Sequence, residues 1–120
     1  MSTIKVDTIQ SSGGGAVTLT NQHAAKAWIN FNGTGTIATR DSFNVGSITD
    51  NSTGTYTVNY TNSFSDADYS PTTGAGGSGY TDRLLTLSVL AAGSLNVVEN
   101  SVDSSQDVLI CTAHSLGDLA

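Results

Sequence analysis

Tyr56-Thr57-Val58-Asn59-Tyr60-Thr61 is the run that decides the fold. Tyr56, Val58 and Tyr60 fall on one side of an extended chain and Thr57, Asn59 and Thr61 on the other, the period of a strand with one buried face. Shorter alternating runs lie outward from it at residues 4–9, 16–20, 25–31, 36–45, 95–102 and 107–113, each bounded by Gly, Asn, Asp or Ser. Short strands at this spacing predict an all-β chain: a small antiparallel β-sandwich, jelly-roll-like, with an extended N-terminal arm. Within it, Trp28, Ile29, Phe31, Tyr56, Val58 and Tyr60 are the candidates for the core or a subunit interface.

The connections follow from turn chemistry. Asn32-Gly33-Thr34-Gly35 puts an Asn-Gly pair where a hairpin needs positive φ, and residues 50–54 form a second turn before Tyr56. Residues 82–93 fit both helical and strand periods, since Asp82 could cap a helix and Gly93 end it. Leu85, Leu87 and Val89 alternate with Thr86 and Ser88, and the strand reading is preferred. Residues 70–81 contain the only proline, Pro71, with Gly74, Gly76, Gly77 and Gly79, and read as a mobile loop. Tyr69 and Tyr80 flank it and are the expected exposed contact residues.

At the front, Ser11-Ser12-Gly13-Gly14-Gly15 is a flexible connector, which divides the chain into an arm and linker (1–15) and a sandwich domain (16–120). The arm, with Ile4, Lys5, Val6, Asp7 and Ile9, cannot bury its apolar residues alone. Strand addition to a sheet of its own or a partner's domain is the expected outcome.

Composition narrows the function. The 120 residues suit one domain, but Leu, Ile, Val and Phe make up only about a fifth of them, so the core is modest. Four Lys and Arg against ten Asp and Glu give a net charge of −6, which disfavours nucleic acid and anionic membrane surfaces as partners. One cysteine, Cys111, rules out an internal disulfide, and with His23 and His114 it makes no metal set, so neither metal nor cofactor is expected. MSTIKVDTIQ lacks a long apolar stretch after its charge, so a chain with neither secretory leader nor membrane insertion is expected.

Three motifs suggest chemistry and lose to plainer readings. Gly74-Ala75-Gly76-Gly77-Ser78-Gly79 spells a dinucleotide fingerprint with Glu99 about twenty residues on, but Ser70-Pro71-Thr72-Thr73 precedes it where a buried strand is required. Asp66-Ala67-Asp68 with Asp50 or Asp82 could supply oxygens to Ca²⁺, yet turn-forming Asp is the simpler account. Asn32-Gly33-Thr34, Asn51-Ser52-Thr53 and Asn59-Tyr60-Thr61 match the glycosylation sequon by letters alone. With no nucleophile elbow and no pair of catalytic carboxylates, the chain reads as a non-enzyme.

A longer pattern is more specific. Lys26-Ala27-Trp28-Ile29-Asn30-Phe31-Asn32-Gly33-Thr34-Gly35-Thr36-Ile37, then Asp41-Ser42-Phe43-Asn44-Val45, Ser47-Ile48-Thr49-Asp50-Asn51 and Gly54-Thr55-Tyr56-Thr57-Val58-Asn59-Tyr60, resemble in order a module of bacteriophage tail-fibre and appendage proteins, especially of marine phages. Ser2-Thr3-Ile4-Lys5-Val6-Asp7-Thr8-Ile9 is similar to the starts of such virion proteins. The resemblance implies a β-rich virion structural protein, commonly a homotrimer, assembled in the bacterial cytoplasm with other tail or capsid proteins and sometimes contacting a host surface glycan. It carries over no catalytic residue. The expected function is a short tail-fibre or appendage subunit; a capsid decoration or head-fibre protein, and a carbohydrate-binding module using Tyr69 and Tyr80, are the alternatives.

Overall fold

The computed structural model describes residues 3, 5, 6, 8, 11–13, 25–77, 83–101 and 105–120. They form eight strands: β1 (Ala25–Asn32), β2 (Ala38–Phe43), β3 (Val45–Ser52), β4 (Thr55–Tyr60), β5 (Ser70–Gly76), β6 (Leu85–Ala91), β7 (Ser94–Glu99) and β8 (Ile110–Leu116). All pairings are antiparallel, in two sheets of order β2-β1-β8-β5 and β3-β4-β7-β6. The chain is a β-sandwich. Among the described residues it shares the jelly roll's strand count and its pairing of first strand with last, while β1–β2, β3–β4 and β6–β7 are sequential hairpins.

Alternation sorts the residues between core and surface. Ala27, Ile29 and Phe31 of β1 and Cys111, Ala113 and Ser115 of β8 face inward from the first sheet. Tyr56 and Val58 of β4 and Leu95, Val97 and Glu99 of β7 meet them from the second. Burying each large apolar side chain stabilises by about 1.5–3 kcal/mol, and Ile29, Phe31, Tyr56, Val58, Leu85, Leu95 and Val97 form one continuous cluster. The ambiguous segment at 82–93 holds strand β6, as its alternating Leu and Val residues predict.

Several expectations need correction. Residues 70–76 are not a loop: Ser70–Gly76 pairs along its length with β8. Proline lacks a ladder donor and glycine a packing side chain, so neither signals a strand, but an edge strand bonded on one side tolerates both. The run at 36–45 is broken at Asn44, whose φ of 56° turns the chain from one sheet into the other. There Asn44 Oδ1 accepts the Asn62 backbone N–H at 2.8 Å while Asn44 Nδ2 donates to the Asn62 carbonyl at 3.0 Å. In the β1–β2 connection positive φ falls on Gly35 (64°), not on the Asn-Gly pair. Gly33 is required for another reason: a Cβ there would collide with the Tyr56 hydroxyl. The second turn is Thr53-Gly54, with Gly54 at φ 70°. Of the arm, Lys5, Val6 and Thr8 are exposed and outside any strand, whereas Ile4, Asp7 and Ile9, like the run at 16–20, lie outside the described residues.

Candidate functional site

Among the described residues the sandwich has four edge strands, and they are not equally protected. An exposed edge offers unpaired backbone groups to another chain unless charge, proline or irregular pairing blunts it. β2 carries Arg40 and Asp41, β3 carries Asp50 and shifts register near both ends, and β5 carries Pro71. β6, Leu85-Thr86-Leu87-Ser88-Val89-Leu90-Ala91, has no charge, proline or glycine. Its irregularity is a register shift between Leu87 and Val89. Leu84 (59% exposed), Val89 (54%) and Leu87 (40%) stand in solvent along this one edge. Uncharged, β-favouring segments of this length are the ones most prone to pair with another chain.

The neighbourhood of β6 is held firmly. Thr73 Oγ1 donates to the Leu85 carbonyl across to β5, and Thr86 Oγ1 donates to the Val98 carbonyl at 3.1 Å. Beside it Arg83 Nη1 lies 3.2 Å from Glu99 Oε1, and Glu99 Oε2 accepts the Gln106 backbone N–H at 2.9 Å. Glu99, which spelled the acidic partner of a dinucleotide fingerprint, is thus fully buried, its ion pair tying β7 to the segment before β6 and its bond from Gln106 tying β7 to the segment before β8. The fingerprint fails in its glycines as well, because Gly74 and Gly76 lie inside β5.

Of the residues selected from sequence, Ile29, Phe31, Tyr56 and Val58 are core. Tyr60 is half-buried and its hydroxyl pairs with Ser115 Oγ at 2.9 Å. Trp28 belongs to neither the core nor the β6 edge. It is half-buried on the outer face of the first sheet, between inward-facing Ala27 and Ile29. Tyr69 is a correction: it is 5% exposed, stacks on Phe64 with ring centroids 4.2 Å apart, and donates from its hydroxyl to the Ser94 carbonyl at 2.8 Å. Burial pushes its phenol well above the usual tyrosine range, reinforced by its bond with Tyr60. It closes one end of the core and cannot serve as a contact residue. Tyr80 and His23 lie outside the described residues.

The remaining motifs resolve into structure. Asp66 Oδ1 accepts the Asp68 backbone N–H at 2.8 Å, a turn bond, and the described residues hold no group of three His, Cys, Asp or Glu arranged for a metal. The sequon asparagines are engaged: Asn32 with Thr34, Asn51 with Thr57, and Asn59 with Ser47 and Thr49. Sequence reasoning missed Leu84, Leu87 and Val89 as a surface. Period-two alternation names the inward side of a strand, and the sequence does not say whether the strand has a neighbour beyond it. The chain matches no protein-family model, and no match was found among the curated proteins or the solved structures.

Proposed function

We propose that this chain is a structural subunit of a bacteriophage particle, a short tail-fibre or appendage protein that works by assembly and attachment. The observation that carries the reading is the apolar, uncharged edge of β6, with Leu84, Leu87 and Val89 exposed. A domain with a small core gains burial by covering such an edge with a copy of itself. In a homotrimer, the arrangement that the resemblance implies, three β6 edges are brought together around the axis, and the N-terminal arm fixes the assembly to its neighbours on the particle. The sparse charge, with a surface dominated by Ser, Thr and Asn, suits repeated association without like-charge repulsion at the contact.

Sedimentation equilibrium of the full chain at micromolar concentration is expected to give a trimer, and Leu87→Lys with Val89→Lys to give folded monomers. A monodisperse, folded wild-type monomer overturns the assembly role. Removing residues 1–12 is expected to abolish incorporation into particles while the domain stays folded, and unchanged incorporation overturns the role of the arm.

A further inference from the structure

A threefold axis makes a demand on the β6 edge that a twofold axis would not. Around a twofold axis an open strand pairs antiparallel with its own copy, because both subunits present the same patch. A threefold axis relates the copies head to tail, so the strand's partner has to be a different segment of the next copy. On β6 the ladder is bonded to β7 on one side. On the other, Thr73 Oγ1 donates to the Leu85 carbonyl, and from Leu87 onward no strand lies beside it among the described residues. Leu87 opposes the core residue Val97 and shares its inward face, yet it is 40% exposed because the sheet ends there.

We propose that the N-terminal arm of each copy adds as a fifth strand to the β6 edge of the next copy, so that three arms close a ring of three sandwiches. This exchange rests on the trimeric assembly and names the segment that covers its contact. The arm has the matching deficiency: Val6 is 55% exposed, and Lys5, Val6 and Thr8 lie outside any strand, so Val6 is not covered within its own chain. In an extended backbone Ile4, Val6 and Thr8 recur on one side and Lys5 and Asp7 on the other. Ile4 and Val6 then cover Leu87 at the inner side of the edge, while Lys5 and Asp7 stay in water and cancel in charge.

Reach and chemistry both select this pairing. Residues 10–24 separate the arm from β1, and that length of chain extends to about 50 Å, whereas a four-stranded sheet is about 14 Å across its strands. The arm can therefore cross one sandwich and arrive at the next. Among the edges, β2 and β3 present charged side chains and β5 lacks a backbone donor at Pro71. β6 offers an uninterrupted set of donors and acceptors between uncharged side chains, so an arm without net charge docks there with no buried charge left unpaired.

Cross-linking of full-length chains tests the exchange. Chains carrying Ile4→Cys or Val6→Cys are each co-expressed with chains carrying Leu87→Cys and oxidised; the native Cys111 is buried and does not compete. Disulfide-linked pairs of unlike chains are expected with at least one of the two arm variants, and the double variant Val6→Cys with Leu87→Cys is expected to link chains to one another. Cross-links confined within single chains of the double variant, or none between unlike chains with either arm variant, overturn the exchange. In sedimentation equilibrium, Ile4→Asp with Val6→Asp is expected to reduce the assembly from three chains to one. A trimer that persists in this variant overturns the exchange and leaves the assembly role standing, whereas a folded wild-type monomer overturns both.

Discussion

Two aromatic groups close the two ends of the sandwich, and they are built differently. At one end Phe31 and Tyr56, both on strands, meet edge to face with centroids 5.2 Å apart. The Tyr56 hydroxyl donates to Asp107 Oδ1 at 3.1 Å and accepts the Val108 N–H at 3.3 Å, while Asp107 Oδ1 also accepts the Gly54 N–H at 2.9 Å. One phenol therefore ties two connections to the core. At the other end Phe64 and Tyr69 come from the connection between β4 and β5, stack at 4.2 Å, and receive the edge of Tyr60. The C-terminal segment seals them: Phe64 bridges to Leu119, and Ser65 N–H donates to the Asp118 carbonyl at 2.9 Å. The first group uses polar anchors around one ring and the second uses ring on ring. An end assembled from loop residues is thus as fully buried as one assembled from strands.

The strongest test of that equivalence is truncation. Phe31→Ala and Phe64→Ala are each expected to destabilise by about 3–5 kcal/mol, read as a lowered urea midpoint with unchanged slope. A Phe64→Ala loss under a third of that for Phe31→Ala would make the loop-built end peripheral.

A finer test is overpacking. Gly117 lies against the second group, where a Cβ would come within 2.7 Å of Tyr69 Cβ and 3.1 Å of Phe64 Cδ1. Gly117→Ala is expected to cost about 1–3 kcal/mol. Gly13, where an added methyl group would meet nothing within 4 Å, serves as the control, and Gly13→Ala should leave the midpoint in place. Equal midpoints for the two variants would mean that the second group yields easily.

The smallest effect concerns Cys111, beside the first group, whose Sγ donates to the Val108 carbonyl at 3.3 Å. Burial pushes its thiol up to about 12, partly offset by the nearby positive charge of Arg40. The unfolded chain releases this proton near 9.0, so between that pH and about 12 the folded state holds the extra proton and stability falls as pH rises. Below pH 9 the contribution is intact. Iodoacetamide should label Cys111 at neutral pH only as fast as the chain unfolds, and rapid labelling of the folded chain would show that the first end is open.

Legibility in the sequence followed the range of the interactions. Alternation at Tyr56, Val58 and Tyr60 is written in adjacent residues, so β4 could be read directly; β6 was legible as a strand, but a register shift between Leu87 and Val89 breaks the alternation of Leu85, Leu87 and Val89. Pro71, Gly74 and Gly76 were misleading because their backbone preferences disfavour a strand in general, while β5 is, among the described residues, an edge bonded to β8 alone. Tyr69 was misread for a related reason: its neighbours in sequence are polar, and its stacking partner Phe64 and the segment around Gly117 reach it only through the closed chain. Trp28 alternates with core residues on β1, but its place on an open polar face depends on Phe43, His114 and Thr72 from three other strands.

By itself the sequence determined that the chain is pleated sheet and which side of most strands is apolar, because a period of two is a property of neighbouring residues. Only the tertiary structure decided that β6 is an apolar, uncharged edge among the described residues, that Tyr69 is interior and that Trp28 is exterior. Those outcomes depend on which strands lie side by side and which loops fold back across the ends, and such contacts join residues far apart in the chain.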